Sequence, residues 1–217
     1  EKYRYEDNSL LSSVIKVIPD APRTLLREHY RCHPKIIDFC NKKFYNDQLI
    51  IMTEDNGEKE VLRAYVTVKG NHARGRYNQR QIDEIKYTII PELNSDDLGI
   101  IAPYNAQTSA LTKDLANDMD ISTVHKFQGR EKNDIIISTV DNEITTFTDD
   151  PNMLNVAVSR AKNRLRLVVS ENESNEKTNI GDLLKYIRYN NFEVINSEVY
   201  SVFDMLYKGY ELSLIHI

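Results

Sequence analysis

Within nine residues, Thr123 to Glu131, the chain places a hydroxyl (Thr123), an imidazole (His125), an amide (Gln128), a guanidinium (Arg130) and a carboxylate (Glu131) around Gly129. That mixture suits a loop facing more than one polar ligand, and the glycine permits a tight turn or a close backbone approach. Ile135, Ile136 and Ile137 follow, so the loop feeds a buried strand. Alone, the stretch reads equally well as an ordinary charged loop before a strand. Three further segments stand around it in order: Tyr30-Arg31-Cys32-His33-Pro34, Pro103-Tyr104-Asn105-Ala106-Gln107, and Leu154 through Ser159-Arg160-Ala161-Lys162. Two arginines from separate segments, Arg31 and Arg160, could clamp a terminal phosphate bidentately; either could also be a surface salt bridge. Arg160, Lys162, Arg164 and Arg166 form a run without an acid, which is either a solvated edge or a phosphate-facing surface.

The elements that must hold these groups follow from hydrophobic periodicity. Ile36, Ile37, Cys40 and Phe44 mark one face of a helix over 34–44, with Pro34 in its first turn. Ile82, Ile85, Ile89 and Leu93 predict a helix over 78–93, and further helices are expected over 106–115, 152–161 and 181–189. Strands are expected at Leu25–Leu26 and over 61–68, 98–102, 121–124, 134–140, 165–170 and 192–195. Residues 53–60 and a segment through Gly70, Arg74, Gly75 and Arg76 read as loops, and 200–207 as one more helix. Strands alternating with helices imply an α/β fold with a mainly parallel sheet. Ligands in such sheets lie beyond the carboxyl ends of the strands, where both the 123–131 and the 103–107 loops are expected.

The 217 residues allow one domain with a proper core, or one plus a small appendage, and 41% hydrophobic residues exclude a disordered chain. A net charge of -5 is unusual for a simple nucleic-acid binder. Cys32 and Cys40 are too few for a disulfide framework and lack zinc spacing; no metal site is expected, Cys32 is assigned a packing role, and a cytoplasmic setting fits. No apolar run reaches membrane-span length and no signal peptide is visible.

Taken together, the four segments resemble the C-terminal, second RecA-like motor domain of superfamily 1 helicases, in the branch of the nonsense-mediated-decay helicase and the replication nuclease-helicase. The resemblance divides the chain into a connector (1–23), the RecA-like domain (24–170) and an extension without recognised chemistry (171–217). It implies ATP hydrolysis coupled to movement along single-stranded DNA or RNA, with Arg160 and Arg31 as catalytic arginines. Tyr30, Gln128, Gly129 and Glu131 would form the ATP side. Glu131 would accept from ribose hydroxyls, since a carboxylate would repel a triphosphate; Gln128 would orient water or relay between sites; Tyr30 either packs near the base or is a core tyrosine. Pro103, Tyr104, Asn105, Gln107, Thr123 and His125 would face the strand, with Tyr104 either stacking on a base or packing under its loop. Many relatives carry an acid where His125 stands. None of the seven glycines precedes a lysine, so the phosphate loop GxxxxGK[ST] is not found, nor is the acidic magnesium motif. The resemblance assigns both to a first motor domain that would be this domain's partner and hold most of ATP and Mg2+. The chain alone is therefore expected to be inactive, as a piece of a longer protein. The alternative is a non-enzymatic nucleic-acid or protein interaction module with a helicase-like fold.

Overall fold

A stretch that is apolar at every position needs cover on both faces, and Leu98–Ala102 is buried at all five of its residues in the computed structural model. The structure describes residues 4, 6, 8–24, 26–70, 73–115, 119–190 and 192–196. The elements in chain order are α1 (Leu10–Val17), β1 (Glu28–His29), α2 (Pro34–Phe44), β2 (Ile50–Ile51), β3 (Leu62–Thr67), β4 (Ala73–Arg74), β5 (Tyr77–Asn78), α3 (Gln79–Glu84), a π-helical turn (Ile85–Ile89), α4 (Ile90–Leu93), β6 (Leu98–Ala102), α5 (Asn105–Asp114), β7 (Asp120–Thr123), β8 (Lys132–Ser138), α6 (Pro151–Val158), β9 (Ala161–Ser170), a 3-10 turn (Glu173–Lys177), α7 (Asn179–Tyr189) and β10 (Glu193–Asn196). Six strands make one parallel sheet in the order β10-β3-β9-β8-β6-β7.

The pleat sorts the apolar side chains into two cores. Ile135, Ile137, Leu165, Leu167 and Val169 point to one face, with Ile36, Ile37, Leu154 and Leu183 from α2, α6 and α7. Ile136, Val168, Ile100 and Tyr65 point to the other, beneath Ile82, Ile85 and Ile89. The Ile135-Ile136-Ile137 run is apolar because consecutive residues serve opposite cores. Each such side chain contributes roughly 1.5–3 kcal/mol on burial.

The helix expected over 78–93 is one helical run with a π turn at Ile85–Ile89. Pro91 lacks an N–H and its ring crowds the carbonyl of Tyr87, so the chain widens there. Asn78 caps the start by accepting from Gln81 N, and Asn94 ends it at φ 42°. Two expectations shift, and a third is untested. The strand before Tyr30 falls at Glu28–His29, not at Leu25–Leu26, and Leu25 lies outside the described residues. The segment through Gly75 is a hairpin, β4 against β5. The helix expected over 200–207 lies outside the described residues. In the stretch read as a connector, α1 forms but buries none of its residues.

Candidate functional site

Residues 124–131 connect β7 to β8 with no helix between them. Both strands flank β6 and run parallel to it, so the loop itself must return from the carboxyl edge of the sheet to the amino edge. This corrects the expected placement: Thr123 sits at the carboxyl edge, but Glu131 emerges at the opposite one. Val124 and Phe127 are the loop's buried anchors. Phe127 crosses beneath β6 where Gly99 makes room; a Cβ on Gly99 would lie 2.6 Å from Phe127 Cζ. Gly129 turns the chain at φ +84° with open space around it, leaving His125, Gln128, Arg130 and Glu131 exposed.

At the amino edge four charged side chains meet. Arg31 Nε lies 2.7 Å from Glu131 Oε2, and Lys162 Nζ lies 2.8 Å from Glu131 Oε1. Arg31 Nη1 donates to Ser159 O at 3.4 Å. Arg160, the residue just before β9, donates from Nη1 to Arg130 O at 3.3 Å, while its buried Nε has no hydrogen-bond partner among the described residues. Burial, and after it the Arg31 charge, lowers the Arg160 pKa. The Lys162 hydrogen bond, opposed by desolvation and joined by the charges of Lys162, Arg31 and Arg160, holds Glu131 below the usual carboxylate value. Three cations against one carboxylate leave an anion-attracting surface. Cys32 donates to Ser159 O at 3.3 Å, and burial pushes its thiol up to about 12 despite the two guanidiniums, so it packs and does not react. Tyr30 is 64% exposed with its hydroxyl donating to Glu28, which excludes the core-tyrosine alternative. The basic run divides. Arg160 and Lys162 join this cluster, whereas Arg164 forks onto Asp134 at 2.5 and 2.7 Å and Arg166 is fully buried, donating to Glu60 O.

The carboxyl edge is built differently. Tyr104 packs under its loop: its hydroxyl donates to Asp141 Oδ2 at 3.1 Å and its ring stacks on Phe147, centroids 5.5 Å apart. Asn105 is exposed and Pro103 half-buried. Gln107 is a correction, because it faces no solvent at all. Its Nε2 donates to Ser138 Oγ at 2.9 Å and its Oε1 accepts from Asn78 N at 2.8 Å. It belongs to a sealed network in which Ser138 Oγ donates to Gln81 Oε1 at 2.7 Å and Gln81 Nε2 donates to Ser170 Oγ at 3.2 Å. Thr123 is only 8% exposed, so His125 is the accessible member of that pair. His125 and Gln128 line one groove with Thr146, Phe147, Asp150 and Asn152, which puts Gln128 beside the strand-side groups as well as near Glu131 in sequence. Phe147 is the residue that periodicity missed.

Among the described residues, His33, Asp55 and Glu58 bring possible metal-ligand atoms within 4.8 Å of one another. The tautomer argues against that use. His33 Nδ1 accepts from Lys35 N at 3.1 Å to cap α2, so Nε2 carries the proton and donates to Glu58 Oε2 at 3.1 Å. Lys35 already pairs with Asp55 at 3.0 Å. No helix among the described residues is long and apolar enough to cross a membrane.

The model of the AAA domain family matches residues 6–172. An uncharacterized ATP-dependent helicase of Methanocaldococcus jannaschii is 27% identical over 83% of this chain, which spans 31% of that protein. The DNA polymerase alpha-associated DNA helicase A of Saccharomyces cerevisiae is 28% identical over 75% of this chain, which spans 30% of its length. The chain thus covers less than a third of either relative. In fold it matches the C-terminal domain of a possible DNA helicase from Lactobacillus plantarum WCFS1, with a TM-score of 0.51 and 20% identity over 76% of this chain and 98% of that one. The chain therefore belongs to the AAA domain family, among the superfamily 1 helicases of the nonsense-mediated-decay and replication nuclease-helicase branch.

Proposed function

We propose that the chain is the second RecA-like motor domain of an ATP-dependent helicase or translocase, and that its amino-edge cluster is the half-site it offers to ATP bound on a first motor domain. The observation that carries this is Arg160: a guanidinium whose buried Nε lacks an acceptor among the described residues, in a cluster of three cations and one carboxylate. A buried donor without a partner costs about 1–3 kcal/mol, which an incoming phosphate oxygen would recover. Phosphoryl transfer spreads negative charge over the equatorial oxygens, and an arginine from a neighbouring domain stabilises that charge most in the transition state. Arg160 takes that role, with Arg31 as the second cation. Glu131 keeps lone pairs free for a ribose hydroxyl, since its two oxygens each hold one cation. Mg2+ belongs on the first domain, because this cluster would repel a divalent cation. Tyr30, exposed at the same edge, is free to meet the nucleotide.

The opposite edge faces the single strand, through Pro103, Tyr104, Asn105, His125 and the end of β7 at Thr123, with Gln107 holding them from beneath. ATP-driven closure of the two domains then changes the grip on the strand at the far edge through the 124–131 loop. Contacts to the backbone make the grip tolerant of base sequence. In a protein containing both motor domains, Arg160→Ala should lower ATP turnover by about 10³-fold while nucleotide affinity changes only a few-fold. Turnover retained near the unmutated level would refute the arginine-finger assignment.

A further inference from the structure

Phe147 is a large aromatic left 47% exposed in the segment between β8 and α6. It is not a loose surface side chain. Its ring lies 5.5 Å from that of Tyr104 at an interplanar angle of 21°, a stacked pair. Tyr104 is itself fixed, because its hydroxyl donates to Asp141 Oδ2 at 3.1 Å. The same carboxylate oxygen accepts from Thr145 and Thr148 at 3.0 and 2.6 Å, pinning the backbone on both sides of Phe147. Phe147 also borders the groove of about 470 Å³ that His125 and Gln128 line. Near this aromatic pair stands Arg76 of the β4–β5 hairpin, its guanidinium 5.7 Å from the Tyr104 ring. A flat ring, locked in orientation, open to a groove and attended by a cation, has the parts of a nucleobase stacking platform.

We propose that Phe147 stacks on one base of the bound single strand, with Tyr104 as its rigid backing and Arg76 meeting the adjacent phosphate. This deepens the strand-binding half of the proposed function and rests on it. Stacking uses the π-face that every base has, so the platform tolerates sequence while still requiring a base.

The test is a binding titration of the chain, compared between variants at one salt concentration and repeated over a series of salt concentrations for the slope, with an ordinary single strand and a strand of the same length lacking its bases. Phe147→Ala should weaken binding of the ordinary strand about tenfold, within the range known for a base–aromatic stack. The base-free strand should bind the unmutated chain about as weakly, and Phe147→Ala should cost it nothing more. Phe147→Leu, apolar but without a flat face, should behave like alanine, and Phe147→Trp should restore affinity. Arg76→Ala should weaken both strands alike and reduce the salt slope by about one. Tight binding that ignores both Phe147→Ala and the missing bases overturns the platform and leaves the strand-binding reading standing, as does full affinity in Phe147→Leu. If the unmutated chain binds neither strand, the strand-binding reading itself fails and takes the platform with it.

Discussion

At the amino edge of the sheet three cations and one carboxylate lie half in water, whereas at the carboxyl edge six neutral polar side chains, Asn78, Gln81, Gln107, Ser138, Thr139 and Ser170, are sealed inside. The physical consequences are opposite. Exposed ion pairs are worth roughly 0–1 kcal/mol each, so the amino edge can exchange Glu131 for another anion at little cost. A buried amide cannot change partners, because each orphaned group costs about 1–3 kcal/mol. The network at the carboxyl edge even holds Val140, a β-branched residue, at φ 67°, with its N–H on Gln81 Oε1 and its carbonyl accepting from Asn78 Nδ2. Such a backbone conformation costs about 1–3 kcal/mol and persists only where the surroundings enforce it. One edge is therefore suited to a ligand that comes and goes with each cycle, and the other to holding loops in fixed positions.

That contrast can be broken most forcefully at Gln107. Gln107→Ala removes both of its hydrogen bonds, strands Asn78 N, leaves Ser138 Oγ with only its bond to Gln81, and opens a void. A loss of about 3 kcal/mol is expected, read as a lowered denaturant midpoint. Strand affinity should fall with it, since Gln107 sits in α5 directly behind Tyr104 and Asn105. A variant within about 0.5 kcal/mol of the unmutated chain would mean that the network is not what fixes the carboxyl edge.

The link between the edges is tested at Gly99. Alanine there would set its Cβ 2.6 Å from Phe127 Cζ and 2.9 Å from Ile135 Cδ1. Overpacking of this kind costs about 1–3 kcal/mol. Phe127 anchors the loop between its strand-side and nucleotide-side halves, so Gly99→Ala should impair strand binding and, in a two-domain protein, ATP turnover together. Loss of one with the other intact would show that the two halves are positioned independently.

What the sequence made legible was whatever local pattern decides. The helix Pro34–Phe44 and the strand Leu98–Ala102 stand where expected at both ends, because a proline start and uninterrupted apolar runs are local signals. The hairpin over 73–78 was invisible because two-residue strands carry no period, and its tip puts Arg76, not only Gly75, at positive φ. The sheet edges were assigned from a general rule, and that rule assumes a helix after each strand. The stretch between β7 and β8 has none, so Glu131 arrives at the amino edge. Gln107 read as a ligand-facing amide because its true partners, Asn78 and Ser138, are 29 and 31 residues away. Phe147 was missed for the same reason: its stacking partner Tyr104 is distant in sequence, and no periodicity surrounds it.

The smallest effect on stability is expected at the residue with the most distinctive binding readout. Glu131→Gln removes the pairs to Arg31 and Lys162, but its side chain is 39% exposed, so the loss should stay below about 1 kcal/mol. Because the folded state lowers the Glu131 pKa, these pairs are fully present above the ordinary value of 4.5 and are lost as pH falls through the lower folded value. The stability difference between Glu131→Gln and the unmutated chain should therefore be constant from neutral pH down to that region and vanish below it. In a two-domain protein the same variant should bind nucleotide modestly more weakly and discriminate less between ribo- and deoxy-nucleotides, because an amide is a poorer acceptor for a sugar hydroxyl than a carboxylate. It should leave strand affinity alone, since Glu131 and Phe147 stand at opposite edges. An unchanged ribo-to-deoxy ratio would remove the ribose role and leave Glu131 as a clamp that holds Arg31 and Lys162 in place for the phosphate.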